Sequence, residues 1–89
     1  MSFKPKVISD AKDELDIALE NFHGDHEIEI LAGACEEAAR SLMEYDECDG
    51  IVNELNDAAN NIRHNSTGIV SDNVDEIANF VYQINWSFI

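Results

Sequence analysis

Basic residues are what this chain has least of. Its 89 residues hold five Lys and Arg against nineteen Asp and Glu, a formal net charge of −14. Lys4, Lys6 and Lys12 fall in the first twelve positions, and only Arg40 and Arg63 follow. A body so short of cations repels nucleic acid and anionic membrane and attracts basic surfaces. Cysteine is scarce as well. Cys35 and Cys48 do not make a disulfide framework, since a small secreted domain held by bridges carries more. Cys35 sits on an apolar stripe and reads as a small hydrophobe. No apolar run approaches the roughly 20 residues that span a bilayer. The opening Met-Ser-Phe-Lys-Pro-Lys is not followed by the apolar stretch of a signal peptide. The expectation is a soluble, cytoplasmic protein. No glycine-rich phosphate loop or nucleophile elbow is present, and the Asp46–Gly50 stretch lacks the alternating ligands and closing Glu of a calcium-binding EF-hand.

What the chain does have is helical periodicity. With 45% hydrophobic residues it is too apolar to be disordered. Its length fits one domain with a small core, which a second copy or a bound partner could supplement. The stretch 25–45 organises the rest. Ile28, Leu31, Cys35, Ala38, Leu42 and Tyr45 step by three and four along one helical face. Ala32, Gly33, Ala34 and Ala39 add small residues expected to let neighbouring helices approach. Residues 1–8 read as an arm, because Pro5 disfavours helix in the residue before it. Helix 1 is expected from Ser9 or Asp10, with Ala11, Leu15, Ala18, Leu19 and Phe22 inward and a stop at His23-Gly24. Asp25 would cap helix 2. A turn over residues 46–50 leads to Asp49 as the cap of helix 3, which carries Ile51, Val52, Leu55, Ala58, Ala59 and Ile62 and ends near His64-Asn65. Ser66-Thr67-Gly68 reads as a loop and Ser71 as the cap of helix 4, whose face runs Val74, Ile77, Ala78, Val81, Ile84 and Phe88.

These elements predict an all-α fold, an antiparallel four-helix bundle. The alternative is α+β, because residues 82–88 also alternate apolar and polar and could pair as a strand with Phe3–Ile8. A second apolar stripe, Tyr82, Trp86 and Ile89, would leave helix 4 apolar nearly all round. Such helices are normally buried, so a homodimer through these three residues is expected.

Chemistry-bearing patterns are few. His23, Asp25 and His26 lie within four residues, but a zinc site needs three or four ligands in tetrahedral reach. Cys48 and His64 are the other ligand types expected at the surface. The bland reading, a polar corner between helices, is preferred, and no metal or cofactor is expected. Carboxylate pairs such as Glu36-Glu37 and Asp46-Glu47 fit solvated helix faces better than an acid–base site, which needs a cleft with split pKa values. Catalysis is not expected.

The acidic surface remains. Asp13, Asp16 and Glu20 on helix 1, Glu29, Glu36, Glu37 and Glu44 on helix 2, and Asp46, Glu47 and Asp49 in the turn could form one partner-binding stripe. A net charge of roughly 2–8 suffices to keep a small domain soluble, and −14 exceeds it. A 20-residue helix is about 30 Å long, and B-DNA of that length carries about 18 charges. In size, acidity and helical pattern the chain resembles the DNA-mimicking inhibitors that phages make against restriction or CRISPR enzymes. The resemblance is one of type and aligns no motif. It implies a non-enzymatic inhibitor whose partner is a basic nucleic-acid-binding protein or nuclease. An immunity protein or antitoxin against a basic toxin nuclease is the alternative. The DNase immunity proteins are acidic four-helix domains of similar length, but their Ser-Gly-Asp…Tyr-Tyr-Pro recognition segment is absent here. A structural or adaptor domain whose acidity serves only solubility is a third class.

Overall fold

Pro5 opens the first helix. The computed structural model describes residues 4–23, 27–64 and 74–87. In it α1 spans Pro5–Glu20. Proline suits the first helical position, where its missing N–H costs nothing and its fixed φ is already helical. Lys4 is extended at φ −133°, ψ 134°, as the residue before a proline tends to be. Its carbonyl accepts from the Val7 amide at 3.0 Å. The arm expected over residues 1–8 is therefore shorter, and Ile8 joins Ala11 and Leu15 on the buried face of α1. The helix also ends sooner than His23-Gly24. The backbone N–H and the side-chain amide of Asn21 both donate to the Ile17 carbonyl, at 3.2 and 2.9 Å. This is the local competition with helix continuation that asparagine favours. Phe22 then tucks into the core from outside the helix. Gly24 and Asp25, expected as stop and cap, lie outside the described residues.

Helix α2, Ile28–Leu42, buries Ile28, Leu31, Ala32, Cys35, Ala38, Ala39 and Leu42, the face expected from the periodicity. It is shorter than 25–45 at its C-terminal end, where the chain tightens. The amide of Tyr45 donates to Leu42 at 3.1 Å and that of Cys48 to Tyr45 at 3.0 Å. A 3₁₀ turn, Asp46–Cys48, passes directly into α3, Asp49–His64. Asp49 has helical angles, φ −53° and ψ −42°, so it begins α3 instead of capping it from outside. Its carboxylate in the first turn still complements the helix dipole. The turn also points Cys48 inward, where it is 0% exposed, against the expectation of a surface ligand. Of the small residues, Ala32 and Ala39 are buried, but a Cβ built on Gly33 meets nothing within 4 Å. Gly33 therefore serves no close helix approach.

On α3 the expected face, Ile51, Val52, Leu55, Ala58, Ala59 and Ile62, is buried throughout. Arg63, near the end of α3, reaches Glu29, near the start of α2, so the two helices run antiparallel. Their interface is the most extensive among the described helices. That between α1 and α2 comes next, and the short α4, Val74–Tyr82, packs on α3. The segment after α4 closes the remaining side, where Val81, Ile84 and Trp86 line a cleft with Leu15 and Leu19 of α1. Among the described residues no polar or charged side chain is buried. The body measures 43 × 20 × 16 Å.

Helix α4 corrects both expectations for the C-terminal segment. It stops at Tyr82 and does not continue to Phe88. The amides of Gln83 and Ile84 turn back to Asn79 and Val81 at 3.0 and 3.1 Å, and Asn85 Oδ1 accepts from the Ser87 amide at 3.0 Å. An Asx turn of this kind offers the backbone an alternative to both helix and strand. No described residue is in a strand, so the chain is an all-helical bundle and the α+β alternative falls. With no helix beyond Tyr82, Tyr82 and Trp86 do not form a helical stripe, and Ile89 lies outside the described residues. Trp86 packs half-buried against the protein's own core while Tyr82 stays 70% exposed. The helical stripe behind the expected dimer is therefore absent among the described residues. Phe88, Ser71 and the stretch 66–68 also lie outside the described residues.

Candidate acidic interface

Helix α1 places Asp13, Asp16 and Glu20 at i, i+3 and i+7 on its outer side, all exposed. Their backbone positions are about 4.5 and 6 Å apart along the axis. No ion pair among the described residues engages them. Lys6 and Lys12 are the bases of α1, and Lys12 lies four residues before Asp16. Glu20 is the last residue of α1, which has no basic residue in its last turn. A carboxylate there opposes the helix dipole. Asp10 and Glu14, as well as Asp16 and Glu20, are like-charge pairs at i, i+4, each unfavourable by about 0.2–0.5 kcal/mol. Asp16 and Glu20 line a cleft with Tyr82 at the end of α4, whereas Asp10 and Glu14 line a different cleft with Val7 and with Ser41 of α2.

The acids of α2 are arranged otherwise. Arg63 of α3 makes a bidentate bond to Glu36, at 2.9 and 2.8 Å, and a longer one to both oxygens of Glu29, at 3.3 Å. Arg40 holds Glu37 at 2.8 Å, one turn away. The Arg63 hydrogen bonds hold the Glu36 carboxyl below the usual range against a smaller opposing effect of desolvation, and the Arg63 charge adds a lesser lowering. The same contacts push Arg63 up. Glu29, Glu36 and Glu37 are thus committed to ion pairs inside the molecule, and Glu29 and Glu36 sit on the α2–α3 seam.

In the connection from α2 to α3, Glu44, Asp46 and Asp49 are exposed and Glu47 is half-buried. Burial, then a hydrogen bond to Glu44, pushes the Tyr45 hydroxyl up. Sequence reasoning passed over Asp10 and Glu14 on α1, Asp57 on α3, and Asp75 and Glu76 on α4, all exposed. Residue type alone could have flagged these acids, but their grouping depends on which helices adjoin.

His23 is exposed, while Asp25 and His26 lie outside the described residues. Among the described residues no group of three or more His, Cys, Asp and Glu converges as a metal site would require. Both thiols are free and buried. Burial, with the neighbouring Glu36 adding to it, pushes Cys35 up to about 12, and burial does the same in direction to Cys48. Neither is a ready nucleophile or metal ligand, because the thiolate is the reactive form. No described helix is long and apolar enough to cross a membrane. Compared with known proteins, the chain matches no family model, no curated protein and no solved structure.

Proposed function

We propose that this protein is a non-enzymatic inhibitor that occupies the basic groove of a nucleic-acid-binding protein by presenting carboxylates where phosphates would sit. The observation that carries this reading is the outer face of α1. There Asp13, Asp16 and Glu20 stand exposed and outside any ion pair among the described residues, and Asp16 with Glu20 forms a like-charge pair at the negative end of the helix dipole. Places where local rules are broken are expected to be functional or strained sites. The charge scale agrees. A net charge of −14 over a 43 Å body is one charge per about 3 Å, close to the roughly 3.4 Å of a single DNA strand. The seam acids Glu29 and Glu36 then act as structural supports, and the recognition surface narrows to α1 with the turn acids Glu44, Asp46 and Asp49.

The test is capture of the partner from a host lysate at about 50 and 200 mM salt, the range over which multi-phosphate contacts weaken strongly. The bait is the wild-type chain, with the Asp13→Lys, Asp16→Lys, Glu20→Lys triple variant as control. A nucleic-acid-binding protein retained only by wild type and only at low salt is the expected result. Equal capture by the two baits would refute the assignment of the α1 face.

A further inference from the structure

Beside the acidic stripe runs a groove that a purely electrostatic surface does not need. Two adjoining clefts, each of about 260 Å³, lie between α1 and the end of α4 with the segment after it, and share Asp16, Leu19 and Tyr82. The first is lined by Leu15, Leu19 and Trp86 together with Lys12 and Asp16. The second is lined by Asp16, Leu19, Glu20 and Tyr82. The size of each falls below the roughly 300–1,000 Å³ of small-molecule sites and suits a protein side chain.

We propose that this groove anchors an arginine of the partner, seated between the Tyr82 ring and the carboxylates of Asp16 and Glu20, with an apolar neighbour of that arginine lying over Trp86. The proposal rests on the inhibitor reading and names the contact that gives it specificity. Two carboxylates, Asp16 and Glu20 one turn later, line one end of the groove near the C-terminal, negative end of the α1 dipole. Tyr82, 70% exposed at the end of α4, adds an aromatic face. A guanidinium matches all of these at once, because it is planar, stacks on aromatic rings and forks onto carboxylates. A lysine ammonium is a point charge that gains less from the ring and the fork. Lys12 repels a second cation at the other end, so the occupant lies with its charge toward Glu20 and its apolar side toward Trp86.

Trp86 is the only tryptophan in the chain, so its fluorescence reports on the groove directly. The probe is a short blocked helical peptide with arginine and leucine on one face, compared with the same peptide carrying lysine for every arginine. The arginine peptide should shift the Trp86 emission saturably and bind about two- to fivefold more tightly than the lysine peptide. Asp16→Asn with Glu20→Gln should weaken it by about tenfold or more. Asp75→Asn with Glu76→Gln, which removes the same charge from the start of α4, should weaken it by less than about threefold. Tyr82→Ala should remove the preference for arginine and keep the binding. Circular dichroism confirms that each variant is folded. Equal losses in the two double variants, equal affinity for the two peptides, or an unchanged Trp86 emission would each overturn the proposal. The peptide titration makes no reference to DNA. A partner that binds duplex DNA and this protein together would overturn the mimicry and leave the groove result standing.

Discussion

Leu31→Ala tests the packing that holds the acidic face in place. Leu31 is fully buried on α2, the helix that packs against both α1 and α3. Truncating a buried leucine costs about 2.7–5.0 kcal/mol, according to how far the surroundings collapse into the space. Leu31 is 0% exposed on a helix held by neighbours on two sides, so little relaxation is available and a loss of about 3–4 kcal/mol is expected. A domain of this length has a total stability of about 4–13 kcal/mol, so the variant should fold but lie close to its margin. At about 4–8 °C per kcal/mol for a domain of this size, its Tm should fall by at least about 12 °C. Urea denaturation followed by far-ultraviolet circular dichroism, with Trp86 fluorescence as a second probe, gives the free energy. The midpoint should drop at unchanged slope. Ile30→Ala is the control, because Ile30 is the next residue along and 61% exposed, and it should cost less than about 0.5 kcal/mol. A loss below about 1 kcal/mol at Leu31, or an equal loss at Ile30, would refute the assignment of the buried face.

Gly33→Ala should stabilise the protein by about 0.5–1 kcal/mol in the same urea assay, because Gly33 lies within a helix and a Cβ there meets nothing; destabilisation would show a contact that the geometry lacks. Glu36 predicts an acid limb. Its folded carboxyl titrates below the ordinary value of 4.5 because of Arg63, so its contribution is fully present above about 4.5 and is lost as pH falls through the folded pKa. The difference in urea midpoint between wild type and Glu36→Gln should therefore be largest near neutrality and shrink progressively as pH falls below about 4.5, and a gap that stays constant with pH would contradict the seam geometry. The Asp13→Lys, Asp16→Lys, Glu20→Lys variant moves the net charge from −14 to −8, two units per residue, and its Tm should hold or rise as self-repulsion falls; a clear drop would mean that these carboxylates support the fold.

The fold was legible where a periodic face coincided with a helix interior. The buried faces of α2 and α3 follow from their three- and four-residue spacing, and that of α1 follows from Ala11 and Leu15. What escaped were the ends, decided by a few local bonds. Pro5 serves equally as a break or as a first helical residue, and the apolar Val7 and Ile8 that follow tipped it to the second. Asn21 and Asn85 each compete for backbone bonds, and an unbroken apolar ladder from Val74 to Phe88 hides the second of them. The grouping of acids was least legible. Glu29 and Glu36 look like Asp13 and Asp16 in sequence, and only the antiparallel approach of α3 gives them Arg63. That pairing depends on a contact across 27 to 34 residues, which no local pattern encodes. The scarcity of bases after Lys12 was the one available signal, because each remaining arginine could be expected to find a carboxylate.

The central claim is that the α1 face stands in for nucleic acid, and the direct measurement is competition. The captured partner, bound to this protein and labelled on it, is titrated with short duplex DNA at about 50 mM salt, and formation of a ternary complex is monitored by sedimentation. Mutually exclusive binding is expected, with the duplex displacing the protein, and displacement should need less DNA for the Asp13→Lys, Asp16→Lys, Glu20→Lys variant. A stable ternary complex of partner, duplex and this protein would contradict it.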